Sequence, residues 1–146
     1  MPTLDVLLIE YPHADTLVVT TPEVMVVSVG EAGPIGPPGE CIVDTLVYAA
    51  APAIDWDGVD EWRVTLTGNF APTFLGAADG QRCVLTITQD GTGSRLVTLP
   101  ANVSFSTDIT SFTASTVAGR TDMLGFIYNA TTEKYRLVAT SRGFSS

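Results

Sequence analysis

Glycine recurs at every third position in the segment "GEAGPIGPPGEC", which covers residues 30–41. Only glycine fits at the crowded axis of a collagen triple helix, so this spacing allows three chains to wind together. The predicted neck residues are Gly30, Gly33, Pro34, Gly36, Pro37, Pro38 and Gly39. The four triplets extend roughly 35 Å and are too short to hold a trimer alone. A semi-rigid polyproline II spacer is the alternative, because it needs proline but no glycine period.

Charge is distributed unevenly along the chain. Residues 1–62 contain eleven Asp and Glu residues and no Lys or Arg, whereas residues 63–146 contain five acids and seven bases. An acid-only segment is repelled by nucleic acid and by anionic membranes, and it is attracted to basic protein surfaces. We therefore expect a protein partner and neither a nucleic acid nor a membrane. The alternative is that the acids keep a valine-rich segment soluble.

Residues 1–29 are predicted to form an attachment arm. The runs "TLDVLLI" (3–9) and "LVVTTPEVMVVSV" (17–29) have strand composition, with Pro12 between them and Pro22 interrupting the second. The predicted anchoring residues are Leu4, Val6, Leu8, Val18, Val24 and Val26. The first fifteen residues lack the positive charge of a signal peptide, and the longest apolar run is too short to cross a bilayer.

Residues 42–146 are predicted to form a knob, an antiparallel β-sandwich of jelly-roll type without helices. Alternation predicts that Trp62, Val64 and Leu66 face inward, and Cys83, Leu85 and Ile87 repeat the pattern. "QDGTGS" predicts a hairpin loop leading to residues 95–99, with Val97 and Leu99 inward. Other strands are expected at 103–106, 109–113, 122–129 and 134–140, with "NATTE" joining the last two. In "MLGFIY" (123–128) apolar residues occupy both faces, which favours a second sheet or an interface between chains.

Few residues point to chemistry. The single histidine, His13, lies in the predicted arm, so we assign no catalytic residue. No cofactor or metal ligand is assigned either, since zinc sites need clustered Cys and His. The cluster "DWDGVDE" presents Asp55, Asp57, Asp60 and Glu61 either to a hard cation such as calcium or to solvent, as a turn before the strand of Trp62. Cys41 and Cys83 are expected to be free thiols.

Four short motifs carry a resemblance to a known class. The strand "TLTGN", the turn "DGQ" and the string "ITQDGTGSR" lie within residues 62–106, and the late hairpin "DMLGFIYNATTEKYRLVAT" covers residues 122–140. Together they resemble a β-rich module found in virion proteins of tailed bacteriophages. A preceding Gly-Pro tract is also common in phage fibre and head-decoration proteins. The resemblance covers somewhat more than half of the chain.

The resemblance implies a non-enzymatic structural protein of the virion, assembled in the bacterial cytoplasm. Capsid decoration or a head fibre is the favoured role, with the arm docked on the major capsid protein or another virion protein and the copies joined as a homotrimer. The alternative is a carbohydrate-binding module at a tail or fibre tip. Trp56 and Tyr135 are the aromatic candidates for sugar contact, although Trp56 is equally suited to fill the bottom of the sandwich.

Overall fold

The computed structural model describes residues 14–19 and 25–30 as strands and residues 39–145 in full. The chain divides into two compact units, Met1–Gly39 and Glu40–Ser146. The strands are β1 (Ala14–Val19), β2 (Met25–Gly30), β3 (Val43–Thr45), β4 (Ala53–Asp55), β5 (Glu61–Leu66), β6 (Thr73–Leu75), β7 (Arg82–Gln89), β8 (Val103–Ser104), β9 (Arg120–Asn129) and β10 (Lys134–Ser145). The described ranges contain no helix, and the all-β prediction is confirmed.

The first unit contains an antiparallel pair, β1 and β2. The register places Ala14 opposite Gly30 and Val19 opposite Met25. The two strands overlap the predicted run 17–29, whose composition is rich in β-branched residues. The predicted strand 3–9 lies outside the described residues.

The second unit is built on a six-stranded mixed sheet with the order β3-β5-β7-β9-β10-β8. The expected antiparallel pairing holds for β7, β9 and β10. It is wrong for the first half of the unit, because β3 is parallel to β5 and β5 is parallel to β7. The short edge strand β8 is also parallel to its neighbour, β10.

The parallel pairs arise because the chain winds as a coil between two sheets. After β3 the chain crosses to β4, returns as β5, crosses again to β6 and returns as β7, while β4 and β6 pair in parallel as a separate two-stranded sheet. Parallel neighbours need a crossover connection, and helices usually supply it. Here strands of the second sheet supply it.

The core is filled from both sheets. The inward predictions for β5 and β7 are confirmed, since Val64, Leu66, Cys83, Leu85 and Ile87 are all buried and Trp62 packs partly buried against the core. Phe74 of β6 joins the sheets because its ring lies edge-on to Phe126 and Tyr135, with centroids 5.4 and 5.2 Å away. Each fully buried side chain of this size contributes about 1.5–3 kcal/mol through removal of apolar surface from water.

The two predicted hairpins differ in outcome. The last is confirmed, because β9 and β10 pair antiparallel on either side of residues 130–133. The chain after "QDGTGS" does not return along β7 and instead forms a parallel bridge between Val97 and Phe70. Val97 and Leu99 still pack against the core, as predicted. Residues 109–113 form no strand, although Ile109 and Phe112 also pack there.

Candidate interaction surface

Asn69, in the motif "TLTGN", ties successive turns of the coil together. Its backbone carbonyl accepts a hydrogen bond of 2.8 Å from the hydroxyl of Tyr48, which lies on the preceding turn. Its side-chain oxygen accepts one of 3.1 Å from the backbone N–H of Leu96, on the following turn. The motif therefore holds backbone segments together that lie far apart in sequence.

Gln81, in the motif "DGQ", has a comparable role. Its side-chain nitrogen donates to the carbonyls of Trp56 and Val59, at 2.8 and 3.0 Å, and its side-chain oxygen accepts from the N–H of Ala78. The neighbouring Asp79 accepts a hydrogen bond from the N–H of Ala130 at the last hairpin. These side-chain amide and carboxyl groups provide hydrogen-bond partners for loop backbone groups that folding removes from water.

The string "QDGTGSR" forms a closed polar loop. Asp90 accepts hydrogen bonds from the N–H groups of Thr92 and Gly93 and an ion pair of 2.7 Å from Arg95. The Arg95 guanidinium, with these backbone bonds, holds the pKa of Asp90 below its ordinary value. Ser94 adopts a φ of 60°, and its N–H donates to the carbonyl of Thr116. This geometry directs the chain out of the sheet, which explains why no hairpin forms.

The acidic cluster at residues 55–61 is bonded to its own chain. Asp55 accepts from the N–H of Asp57, and Asp60 accepts from the N–H of Ile42 at 2.9 Å. Glu61 forms an ion pair of 2.7 Å with Arg63, which lowers the pKa of its carboxyl. Among residues 39–145 no group of three metal-ligating side chains converges. The arrangement matches the turn prediction.

The two aromatic candidates for sugar contact are both buried. Trp56 is 0% exposed and Tyr135 is 1% exposed. Trp56 lies edge-on to Phe74, with ring centroids 5.7 Å apart, and so fills the core. Burial also raises the pKa of the Tyr135 hydroxyl to about 12. Neither ring offers a platform to a sugar, so both candidates for sugar contact are wrong, and the alternative position of Trp56 in the core is confirmed.

Both cysteines are free thiols, as expected. Cys41 is exposed, whereas Cys83 is buried in β7. Burial raises the pKa of the Cys83 thiol to about 12, with a smaller contribution from Asp60. The Cys83 thiol therefore stays protonated at neutral pH.

Several predicted neck and arm residues lie outside the described residues: Leu4, Val6, Leu8, Val24, Gly33, Pro34, Gly36, Pro37 and Pro38. Of the remainder, Val18 and Val26 are directly paired between β1 and β2. Gly30 is the last residue of β2, and Gly39 is exposed at the start of the fully described range.

The outer face of the six-stranded sheet carries a row of residues that the sequence alone did not reveal. Arg82 of β7 is paired with Ile127 of β9, which is paired with Arg136 of β10. Arg136 is in turn paired with Ser104 of β8. Directly paired residues lie on the same face of a sheet. We call these four residues the arginine row.

The two arginines of this row are exposed and form no ion pair within residues 39–145. The other five basic residues are engaged elsewhere. Arg63 and Arg95 pair with Glu61 and Asp90. The rest donate to backbone carbonyls: Arg120 to Gly143, Lys134 to Ala101 and Arg142 to Thr113. Within residues 39–145, the cations without a partner are thus concentrated in one row of the sheet.

A groove opens at the end of the arginine row, where β8 ends beside β10. It has a volume of about 310 Å³ and is lined by Ser104, Phe105, Ser106, Arg136, Leu137 and Val138. Phe105 and Val138 are 41% and 51% exposed, so its walls are apolar and accessible. Arg136 belongs to both the groove and the row. The surface combines apolar walls with two guanidinium groups and fits an extended segment that is both apolar and acidic.

No protein-family model matches the chain, and a search of curated proteins likewise gives no match. Within the described ranges, no helix is long and apolar enough to cross a membrane.

Proposed function

We propose that this chain is a non-enzymatic structural protein of a tailed-bacteriophage virion. In this proposal it decorates or stabilises the capsid, as a cement or head-fibre protein. Residues 1–29 dock on the major capsid protein or another virion protein, residues 30–41 form a collagen-like neck, and residues 42–146 project as a β-sandwich knob. The copies associate as a homotrimer through the neck.

The observation that carries the proposal is the role of the resemblance motifs. Asn69 and Gln81 each bind backbone groups on distant segments, and Gln89 binds the backbone of Arg95 at the end of its own loop, so the resemblance motifs help to hold the β framework together. A resemblance located in such residues supports a common architecture for the knob. The glycine triplets and the acid-only arm add support for a threefold, protein-bound part.

The alternative is a carbohydrate-binding module at a tail or fibre tip. Trp56 and Tyr135 are buried and cannot contact a sugar, so other residues would have to form the binding site. Reproducible binding of the purified chain to a glycan array would favour it over the capsid role.

Two measurements test the proposal. Light scattering on the isolated chain should give three times the 15.4 kDa chain mass. The full-length chain should also co-sediment with phage particles assembled in the cells that express it, and a variant lacking residues 1–29 should remain in the supernatant. A single-chain mass, or equal incorporation of the two forms, would contradict the proposal.

A further inference from the structure

We propose that the arginine row and its groove bind residues 3–10 of a second copy of this chain. The inference rests on the proposed function, because it names the surface through which neighbouring copies exchange their arms. It commits to an acidic protein segment as the occupant.

Charge complementarity is the first argument. Arg82 and Arg136 are the two basic residues without an ion pair or a backbone acceptor in the fully described range, and they flank Ile127 on one face. Residues 1–62 contain eleven acids and no base. Each copy therefore supplies one acidic segment and one basic surface, so the segments and the surfaces that bind them are equal in number. Opposite potentials of this kind orient and specify an interface.

Side-chain alternation is the second argument. Residues 3–10 read "TLDVLLIE". In an extended chain, alternate side chains lie on the same side, which places Leu4, Val6, Leu8 and Glu10 together. One side of the segment thus carries apolar groups followed by an acid. The groove carries the matching set, because exposed Phe105 and Val138 stand beside Arg136.

Symmetry is the third argument. An arm that binds the knob of the next copy makes a heterologous contact, and such a contact closes into a ring when the copies are related by a rotation. A threefold neck supplies that rotation in the proposed function. The neck also raises the local concentration of each arm near its neighbour, so a weak contact suffices.

The test is a charge exchange in the full-length chain. Arg136→Glu and Glu10→Lys are each expected to raise the concentration at which the complex dissociates by about tenfold at low salt. The combined variant, Arg136→Glu with Glu10→Lys, should restore the wild-type value because the pair is reversed. The masses would be measured by light scattering over a dilution series, at an ionic strength of about 0.01 M, where the Debye length is about 30 Å.

Two matched controls change the same charge elsewhere. In the proposed extended segment, alternation would place Asp5 on the side opposite Glu10, so Asp5→Lys combined with Arg136→Glu should not restore assembly. Arg142→Glu, farther along β10, should leave the dissociation concentration close to that of the wild type. Circular dichroism and urea unfolding would establish that every variant is folded.

The outcomes separate the inference from the proposed function. A trimer whose dissociation is unchanged by Arg136→Glu, or one that the charge exchange does not rescue, overturns the inference and leaves the threefold assembly standing. A wild-type chain that is monomeric at every concentration overturns both. A higher dissociation concentration in each single variant, together with the wild-type value in the combined variant, supports the inference.

Discussion

The side chain of Gln89 pairs with the backbone of Arg95 at both of its polar ends. The amide nitrogen of Gln89 donates to the carbonyl of Arg95 at 3.0 Å, and the amide oxygen accepts from the N–H of Arg95 at 2.9 Å. Gln89 is 2% exposed, so water does not compete for these bonds. The side chain thus acts as a substitute for a neighbouring strand at the point where the chain leaves β7.

Replacing Gln89 with Met keeps a similar volume and removes both hydrogen bonds. The variant is expected to lose about 2 kcal/mol of unfolding free energy, because two partly buried backbone groups of Arg95 are left without partners. The measurement is a shift of the urea midpoint with an unchanged slope. Arg95→Ala keeps the backbone pairing and should cost less. An equal loss in both variants would contradict the larger contribution of the Gln89 amide.

Asp122 joins three segments of the chain, and its replacement is expected to lower the free energy of unfolding by more than the Gln89 change does. This carboxylate is 1% exposed and accepts from the N–H and hydroxyl of Ser115, both at 2.6 Å, and from the N–H of Gly143 at 2.9 Å. Asp122→Ala is expected to cost about 3 kcal/mol in urea unfolding, since it leaves three partly buried donors without an acceptor. Ser115→Ala, which retains its N–H, should cost about 1 kcal/mol. Similar costs for the two variants would contradict this role for Asp122.

Gly93 and Gly58 offer a matched comparison of backbone strain. Both have positive φ, at 72° and 69°. A Cβ on Gly93 would lie 2.5 Å from the carbonyl oxygen of Thr116, whereas a Cβ on Gly58 would meet nothing within 4 Å. We expect Gly58→Ala to cost about 1 kcal/mol from the left-handed conformation alone. Gly93→Ala should cost at least about 2 kcal/mol more in chemical denaturation, because backbone must move. Equal costs would refute the close approach.

The buried Cys83 predicts a stability that decreases at alkaline pH. Its pKa is raised to about 12 from an ordinary value of 9.0, so the unfolded chain releases the proton first as the pH rises. The unfolded state then binds fewer protons than the folded state, and the free energy of unfolding falls between about pH 9 and pH 12. Tyr135, whose pKa is also raised to about 12, acts in the same direction.

Cys83→Ala should reduce this decline, and urea midpoints measured from pH 8 to pH 11 would show it. A thiol reagent provides a second readout at pH 8. It should modify exposed Cys41 at once and Cys83 only after unfolding, because the thiolate is the reactive form. Rapid modification of both thiols in the folded protein would contradict the burial of Cys83.

Substitutions in the glycine tract distinguish a triple helix from a spacer. Gly36→Ala should weaken a collagen-like neck and raise the dissociation concentration in light scattering, because no side chain fits at the crowded axis. Pro37→Ala, at the adjacent position, should have a smaller effect. A polyproline II spacer tolerates the glycine change. Equal behaviour of the two variants would therefore support the spacer.

Short sequence patterns predicted much of the local structure. The period of two in Val64–Leu66 and Cys83–Ile87 identified the buried faces of β5 and β7, because side chains alternate across a strand whatever its partners are. The last hairpin was also predictable, since two apolar runs separated by a short loop such as "NATTE" are typical of a β-hairpin. The turn at residues 57–60 followed from its Asp and Gly residues.

Which strands are neighbours could be seen only in the folded chain. Alternation in β5 is the same for a parallel or an antiparallel partner, so the pattern at Val64 and Leu66 held no information about the coil through β4 and β6. From the sequence, Trp56 was equally suited to an exposed platform or to the core, and its contact with Phe74 places it in the core. Arg82 and Arg136 are 54 positions apart in the numbering, and only the pairing of both with Ile127 brings them into one row. Which side chains avoid water could be predicted from short sequence patterns, because that preference is local. Which distant segments come together depends on the whole packed core, and no single segment contains that information.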